Sequence, residues 1–330
     1  MRLESARTLK KALQERFVAD FQDTARSVLP TGARSLSLTT KRAPRTFALG
    51  VAPKQGGDYR LAVRIQHREM EGSREVELIT KQAKGEVEVR YVGSIKKRAA
   101  PWFQQRQRPL LIGSSVGHFA ITAGTIGGFV RVQGGIVSIL SNNHVLANEN
   151  RAKKGDAILQ PGDFDGGANP ADAVAKLHSF ARMKVAGTNL IDAAVATIVD
   201  GVKADASKLR GWGKLKGVGS AFLDEGTQVA KIGRTTGLTR GHVSAFELDN
   251  VVVEYDIGVL RFDNQIEIES DSNSPFSDGG DSGSLIVGSD FRAVGLLFAG
   301  SDQGGENGQG LTYANPLHVV FDTLNLELVL

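Results

Sequence analysis

The chain has 330 residues, a formal net charge of +4 and no cysteine, which excludes a disulfide framework and fits a reducing cytoplasm. Its 41% hydrophobic content and 39 glycines describe a turn-rich globular protein long enough for two or three domains. No apolar run approaches the roughly 18 residues of a membrane span, and Met1-Arg2-Leu3-Glu4 opens no signal-peptide core.

Charge is uneven along the chain. Residues 1–110 hold 23 Lys and Arg against 11 Asp and Glu, and residues 111–330 hold 17 against 25. The basic first part is expected to pack within the molecule or to meet a protein partner. Its cations are dispersed, without the interleaved aromatics of single-strand binders, so nucleic acid is not the expected partner.

Leu3, Ala6, Leu9, Leu13, Phe17, Phe21, Ala25 and Leu29 recur at three- and four-residue steps, predicting an amphipathic helix over 3–29 that Pro30-Thr31-Gly32 ends. Alternating runs at 46–51, 59–65 and 86–92 predict strands. One helix with several strands predicts a small α+β domain, which with its linker covers residues 1–109. The linker, 94–109, carries Lys96-Lys97-Arg98, a solvated connector or a cleavage site.

From Leu110 the texture changes to short β runs separated by glycine turns, as in closed β-barrels. Three stretches carry chemistry. Ser141-Asn142-Asn143-His144-Val145-Leu146 places a histidine after an apolar strand. Asn189-Leu190-Ile191-Asp192-Ala193-Ala194 buries a lone carboxylate, which is costly without a partner, and an imidazole is the economical one. Ser277-Asp278-Gly279-Gly280-Asp281-Ser282-Gly283-Ser284 delivers a serine on a glycine-rich loop before the apolar run Leu285-Ile286-Val287. A bare Gly-Asp-Ser-Gly also reads as a hairpin turn. A serine there becomes a nucleophile when a base lies within reach, and the amides of Gly280 and Ser282 can face a developing oxyanion.

The order His144, Asp192, Ser282 differs from that of subtilisins and α/β-hydrolases. On these three motifs the chain resembles the chymotrypsin-like (trypsin-like) serine proteases, and within them the cysteine-free bacterial branch, over about residues 110–325. The Gly233-Arg234-Thr235-Thr236-Gly237 stretch is similar to that branch as well. The resemblance implies a mainly β fold of two antiparallel six-stranded barrels, about 110–205 and 215–330, behind the N-terminal domain.

It further implies a serine endopeptidase with Ser282 as nucleophile, His144 as base and Asp192 orienting it, with Gly280 and Ser282 forming the oxyanion hole. Asp281 is expected to form a site-shaping ion pair with Lys231, with Arg234 as second choice. The specificity pocket maps to Phe276 at its base and Phe298-Ala299-Gly300 as one wall, which favours a small or apolar residue over Lys or Arg. The alternative is a protease fold serving as a peptide-binding scaffold. His67, His178, His242 and His318 show no ligand spacing, His118 reads as structural, and neither metal nor cofactor is expected. The expected partner is a protein or peptide substrate, with the N-terminal domain regulating the site or recruiting to it.

Overall fold

The computed structural model describes residues 1–26, 47–93, 95, 100–132 and 135–330. They form two compact units, Met1–Ala99 and Ala100–Leu330. The expected helix stop at Pro30-Thr31-Gly32 and the triplet Lys96-Lys97-Arg98 lie outside the described residues. Among the described residues, no helix is long and apolar enough to cross a membrane.

The first unit opens with helix α1 (Leu3–Arg26) and builds a three-stranded sheet in the order Phe47–Pro53, Tyr59–Ile65, Val87–Tyr91. The first pair is antiparallel and the second parallel. A parallel pair needs a crossover, and helix α2 (Arg74–Gln82) supplies it. This second helix is absent from the sequence reading. Its local signals are a Ser73 cap that accepts from Val76 N and the core-facing Val76, Ile79 and Ala83. Strand alternation sends Leu61, Val63 and Ile65 into the core with Leu13 and Ile79. Arg60 and Arg64, at alternate positions of that strand, pair with Glu88.

The second unit is mainly β. Six of its strands close a barrel: Arg292–Gly300, Leu285–Gly288, Gln228–Gly233, Gly237–Leu248, Gln265–Ser270 and Thr312–Pro316, which pairs back to Arg292–Gly300. Val243, Ile266, Ile268, Ile286 and Leu297 fill it. The first half differs from the expected six-stranded barrel. It is an eight-stranded curled sheet centred on Val137–Ser141, Ala194–Ile198 and Ala173–Phe180. One edge gains Glu327–Leu328 from the far end of the chain, so the last residues return to the first half.

Two further features depart from the sequence reading. Residues 100–109 are expected as connector, but Trp102 packs on the core of the second unit and Gln104 Nε2 donates to Arg234 O at 3.1 Å. The strands Val251–Tyr255 and Gly258–Phe262 form a hairpin outside the barrel, paired in parallel with Thr188–Asn189. That hairpin brings Tyr255 to the site described next.

Candidate active site

The positions of His144 and Asp192 follow from strand register. Val137–Ser141 pairs antiparallel with Ala194–Ile198, with Ser141 opposite Ala194. The one-turn helix α3 (Asn143–Leu146) follows the first strand, and Asp192 precedes the second. The two side chains therefore emerge at the same end of the pair. His144 Nδ1 lies 2.5 Å from Asp192 Oδ2. Asp192 Oδ1 accepts from the amides of Asn143 at 2.7 Å and His144 at 3.2 Å. Tyr255 Oη donates to Oδ2 at 2.8 Å. The Asp192 backbone is fixed too: its N–H donates to Asn315 Oδ1 and its carbonyl accepts from Asn142 Nδ2.

This carboxylate is fully buried and, among the described residues, receives only dipoles and an imidazole, with no Lys or Arg in contact. Burial pulls the His144 imidazole toward its neutral form. The charge and hydrogen bond of Asp192, with the charge of Glu149, more than offset that, so the pKa lies above the ordinary histidine value. Burial and then the Asp192 charge push the Tyr255 hydroxyl well up, which keeps it a proton donor.

The Ser282 loop hangs from the second barrel. Asp281, fully buried, accepts from five donors: the amides of Thr235, Thr236 and Asp278, the Thr236 hydroxyl, and Lys231 Nζ at 3.1 Å from Oδ2. Lys231 is fully buried, also donates to Gly237 O, and has its pKa lowered by burial against the opposing pull of Asp281. Arg234, the second choice for this pairing, instead makes a two-pronged contact with Asp165 at 2.7 and 2.6 Å. Thr125 Oγ1 donates to Gly280 O and Thr235 Oγ1 to Gly279 O, so the loop is held at each step. Among the described residues, nothing accepts from the amides of Gly280 or Ser282. These are the two donors that flank Asp281.

Ser282 meets the His144 side through the short strand Gly124–Thr125. Thr125 N donates to Ser282 O at 2.8 Å, and Thr125 O accepts from Ser141 Oγ, three residues before His144. Gly283, at φ +90°, fits so closely that a Cβ there would fall 2.1 Å from Ser141 Oγ. Among the described residues, no hydrogen bond joins Ser282 Oγ to His144 in this structure. Beside His144 opens a cleft of about 670 Å³, lined by Phe119, Ile121, Glu149, Asp163 and Asp256 among others.

The expected specificity residues divide. Phe276 is 1% exposed and packs inside the second barrel, so it forms no pocket base. Its neighbour Ser277 is half-buried, with Oγ 2.7 Å from Thr312 Oγ1 and close to Gly300. Phe298 is buried against Phe262, while Ala299 and Gly300 remain accessible. Sequence reasoning misses Tyr255, Asn315 and Thr125, none of which carries a local signal. Among the described residues, no group of His, Asp and Glu is placed to hold a metal ion.

A closed six-stranded barrel beside a curled sheet, with the Ser282 loop on one and the His144–Asp192 pair on the other, decides the architecture. Residues 100–330 have a chymotrypsin-like fold. The family model for the Nal1 C-terminal domain matches residues 192–328. No curated protein matches the chain. Similar solved structures include Thermobifida fusca Protease A, at 18% identity and TM-score 0.46 over 67% of this chain and 98% of that one. Cellulomonas bogoriensis chymotrypsin is similar at 20% identity and TM-score 0.45, over 67% and 98%. A glutamic acid specific serine protease is similar at 20% and 0.48, over 67% and 100%.

Proposed function

We propose that this chain is a serine endopeptidase. The observation that carries the reading is a fully buried carboxylate, without a Lys or Arg partner among the described residues, held 2.5 Å from a histidine that opens onto a cleft. Such a carboxylate stabilises an imidazolium as it forms and fixes the tautomer with Nδ1 protonated, leaving Nε2 free to act as base.

In this reading the Ser282–His144 hydrogen bond forms in the substrate complex, where catalytic contacts tighten. Ser282 Oγ attacks the scissile carbonyl carbon as its proton passes to His144 Nε2. The carbonyl oxygen becomes an oxyanion that accepts from the Gly280 and Ser282 amides. His144 returns the proton to the leaving nitrogen, the C–N bond breaks, and the acyl group stays on Ser282. Water, deprotonated by His144, then releases the acid and restores the serine. Asp281 and Lys231 act beforehand by holding the two amides in place, so the loop is formed without an activating cleavage.

With Phe276 in the core, selection of the residue before the scissile bond falls to Gly300, Ser277 and Thr312. These favour a small uncharged side chain. The basic first unit, residues 1–99, regulates the site or recruits the substrate. The test is hydrolysis of an unfolded protein substrate by the intact chain beside Ser282→Ala. Cleavage that disappears in the alanine variant is expected. Equal cleavage by both proteins, or none by either across several substrates, overturns the reading and leaves a binding scaffold.

A further inference from the structure

Asp192 Oδ2 carries two hydrogen bonds, from His144 Nδ1 and from Tyr255 Oη. Tyr255 comes from neither strand that positions the His144–Asp192 pair. It sits at the end of the strand Val251–Tyr255, on the hairpin outside the barrel. Two contacts tie the tip of that hairpin to the segment just after α3. Ile257 N donates to Glu149 Oε2 at 3.0 Å, and Arg151 Nη1 pairs with Asp256 Oδ2 at 3.2 Å. Beneath the hydroxyl three aromatic rings lie in tilted contact. Tyr255 lies 6.0 Å from Phe262, which lies 4.8 Å from Phe298 in the barrel wall. The Tyr255 ring also stands edge-on to His144 at 5.9 Å.

We propose that Tyr255 is a positioning residue, which orients the Asp192 carboxylate toward His144 and limits how much of its charge the imidazole feels. The physical argument is local. A hydroxyl donated to a carboxylate oxygen stabilises the anion and shares its electron density. Removing that donor leaves the buried charge to His144 and two amides alone. The imidazolium is then held more strongly, while the carboxylate loses the contact that sets its angle. The groups facing His144 are Asp192 and Tyr255, with Glu149 beside them on the segment after α3. Arg151, Asp256 and Asp163 line the cleft farther out.

The test is a pH titration of His144 by nuclear magnetic resonance in the intact chain, its signal assigned by loss in His144→Gln. Tyr255→Phe keeps the ring on Phe262 and removes only the hydroxyl. The His144 midpoint is expected to rise by about half a unit or more in this variant. Val252→Ala, on the exposed outer side of the same hairpin, should leave it unchanged. A midpoint that does not move in a folded Tyr255→Phe protein overturns the proposal, even if its activity falls. The catalytic meaning of the inference rests on the peptidase reading, and a second measurement separates the two. Labelling by a fluorophosphonate should slow by about tenfold or more in Tyr255→Phe, as misaligned catalytic groups do. No labelling of the wild type would count against the peptidase reading alone, since the titration needs no activity.

Discussion

Asp192 and Asp281 are both fully buried carboxylates that sit just outside strands, yet their surroundings differ in kind. Asp281 faces a lysine, one threonine hydroxyl and three amides, so its charge is neutralised where it sits. Asp192 faces two amides, a tyrosine hydroxyl and an imidazole, none of which carries a fixed positive charge. The first arrangement fixes a loop. In the peptidase reading, the second leaves a negative charge to stabilise a proton arriving on His144. Burial alone therefore does not tell a structural carboxylate from a working one; the charge state of its partners does.

The largest effects should split along that line. Asp192→Asn should lower hydrolysis by about 10⁴-fold, because an amide favours the wrong imidazole tautomer. Its denaturation midpoint should change far less. Asp281→Asn should do the reverse in stability, costing about 3–5 kcal/mol because it strands a buried ammonium. Adding Lys231→Met to it should recover much of that loss in chemical denaturation. If Asp192→Asn proved the more destabilising variant, the contrast would collapse. Gly283→Ala should cost about 1–3 kcal/mol, since it combines a positive φ with contacts to Ser141 Oγ and Thr125 O.

The pH dependence sharpens the same point. The His144 pKa is raised, so the neutral base accumulates only above the ordinary value of about 6.5. Hydrolysis should climb through a midpoint above that value. Its contribution to stability runs the other way: it is complete below about 6.5 and is lost as pH rises through the raised folded value. A rate limb at or below the ordinary value would place His144 outside the reaction. The smallest change is expected from Arg151→Ala, whose ion pair with Asp256 is open to solvent and contributes about 0–1 kcal/mol.

What was legible in the sequence follows from where each signal resides. A lone aspartate in an apolar stretch demands a partner, and that demand is visible without a structure. The glycines of residues 279–283 announce a tight loop before a buried strand. The closing of the second barrel also shows, because short alternating runs with glycine turns suit closure. Other features depend on contacts that no local pattern encodes. Tyr255 lies 63 residues from Asp192, on a hairpin whose alternation gives no hint that it leaves the barrel. Phe276 and Ser277 are neighbours of which the first is buried and the second half-buried, a difference that a motif offset does not resolve. The first sheet takes its edge from Glu327–Leu328, a pairing set by how the chain end returns rather than by its composition. Trp102 looks like part of a linker until the surface it covers is seen.

The most direct test of the central claim is whether Ser282 is a nucleophile in the assembled site. The intact chain would be treated with a fluorophosphonate, and the adduct located by peptide mass spectrometry, beside His144→Gln and Asp192→Asn. The account predicts a single adduct on Ser282, lost in the first variant and formed far more slowly in the second. An unmodified Ser282 in the folded wild-type chain, or an adduct that forms equally without His144, would contradict it.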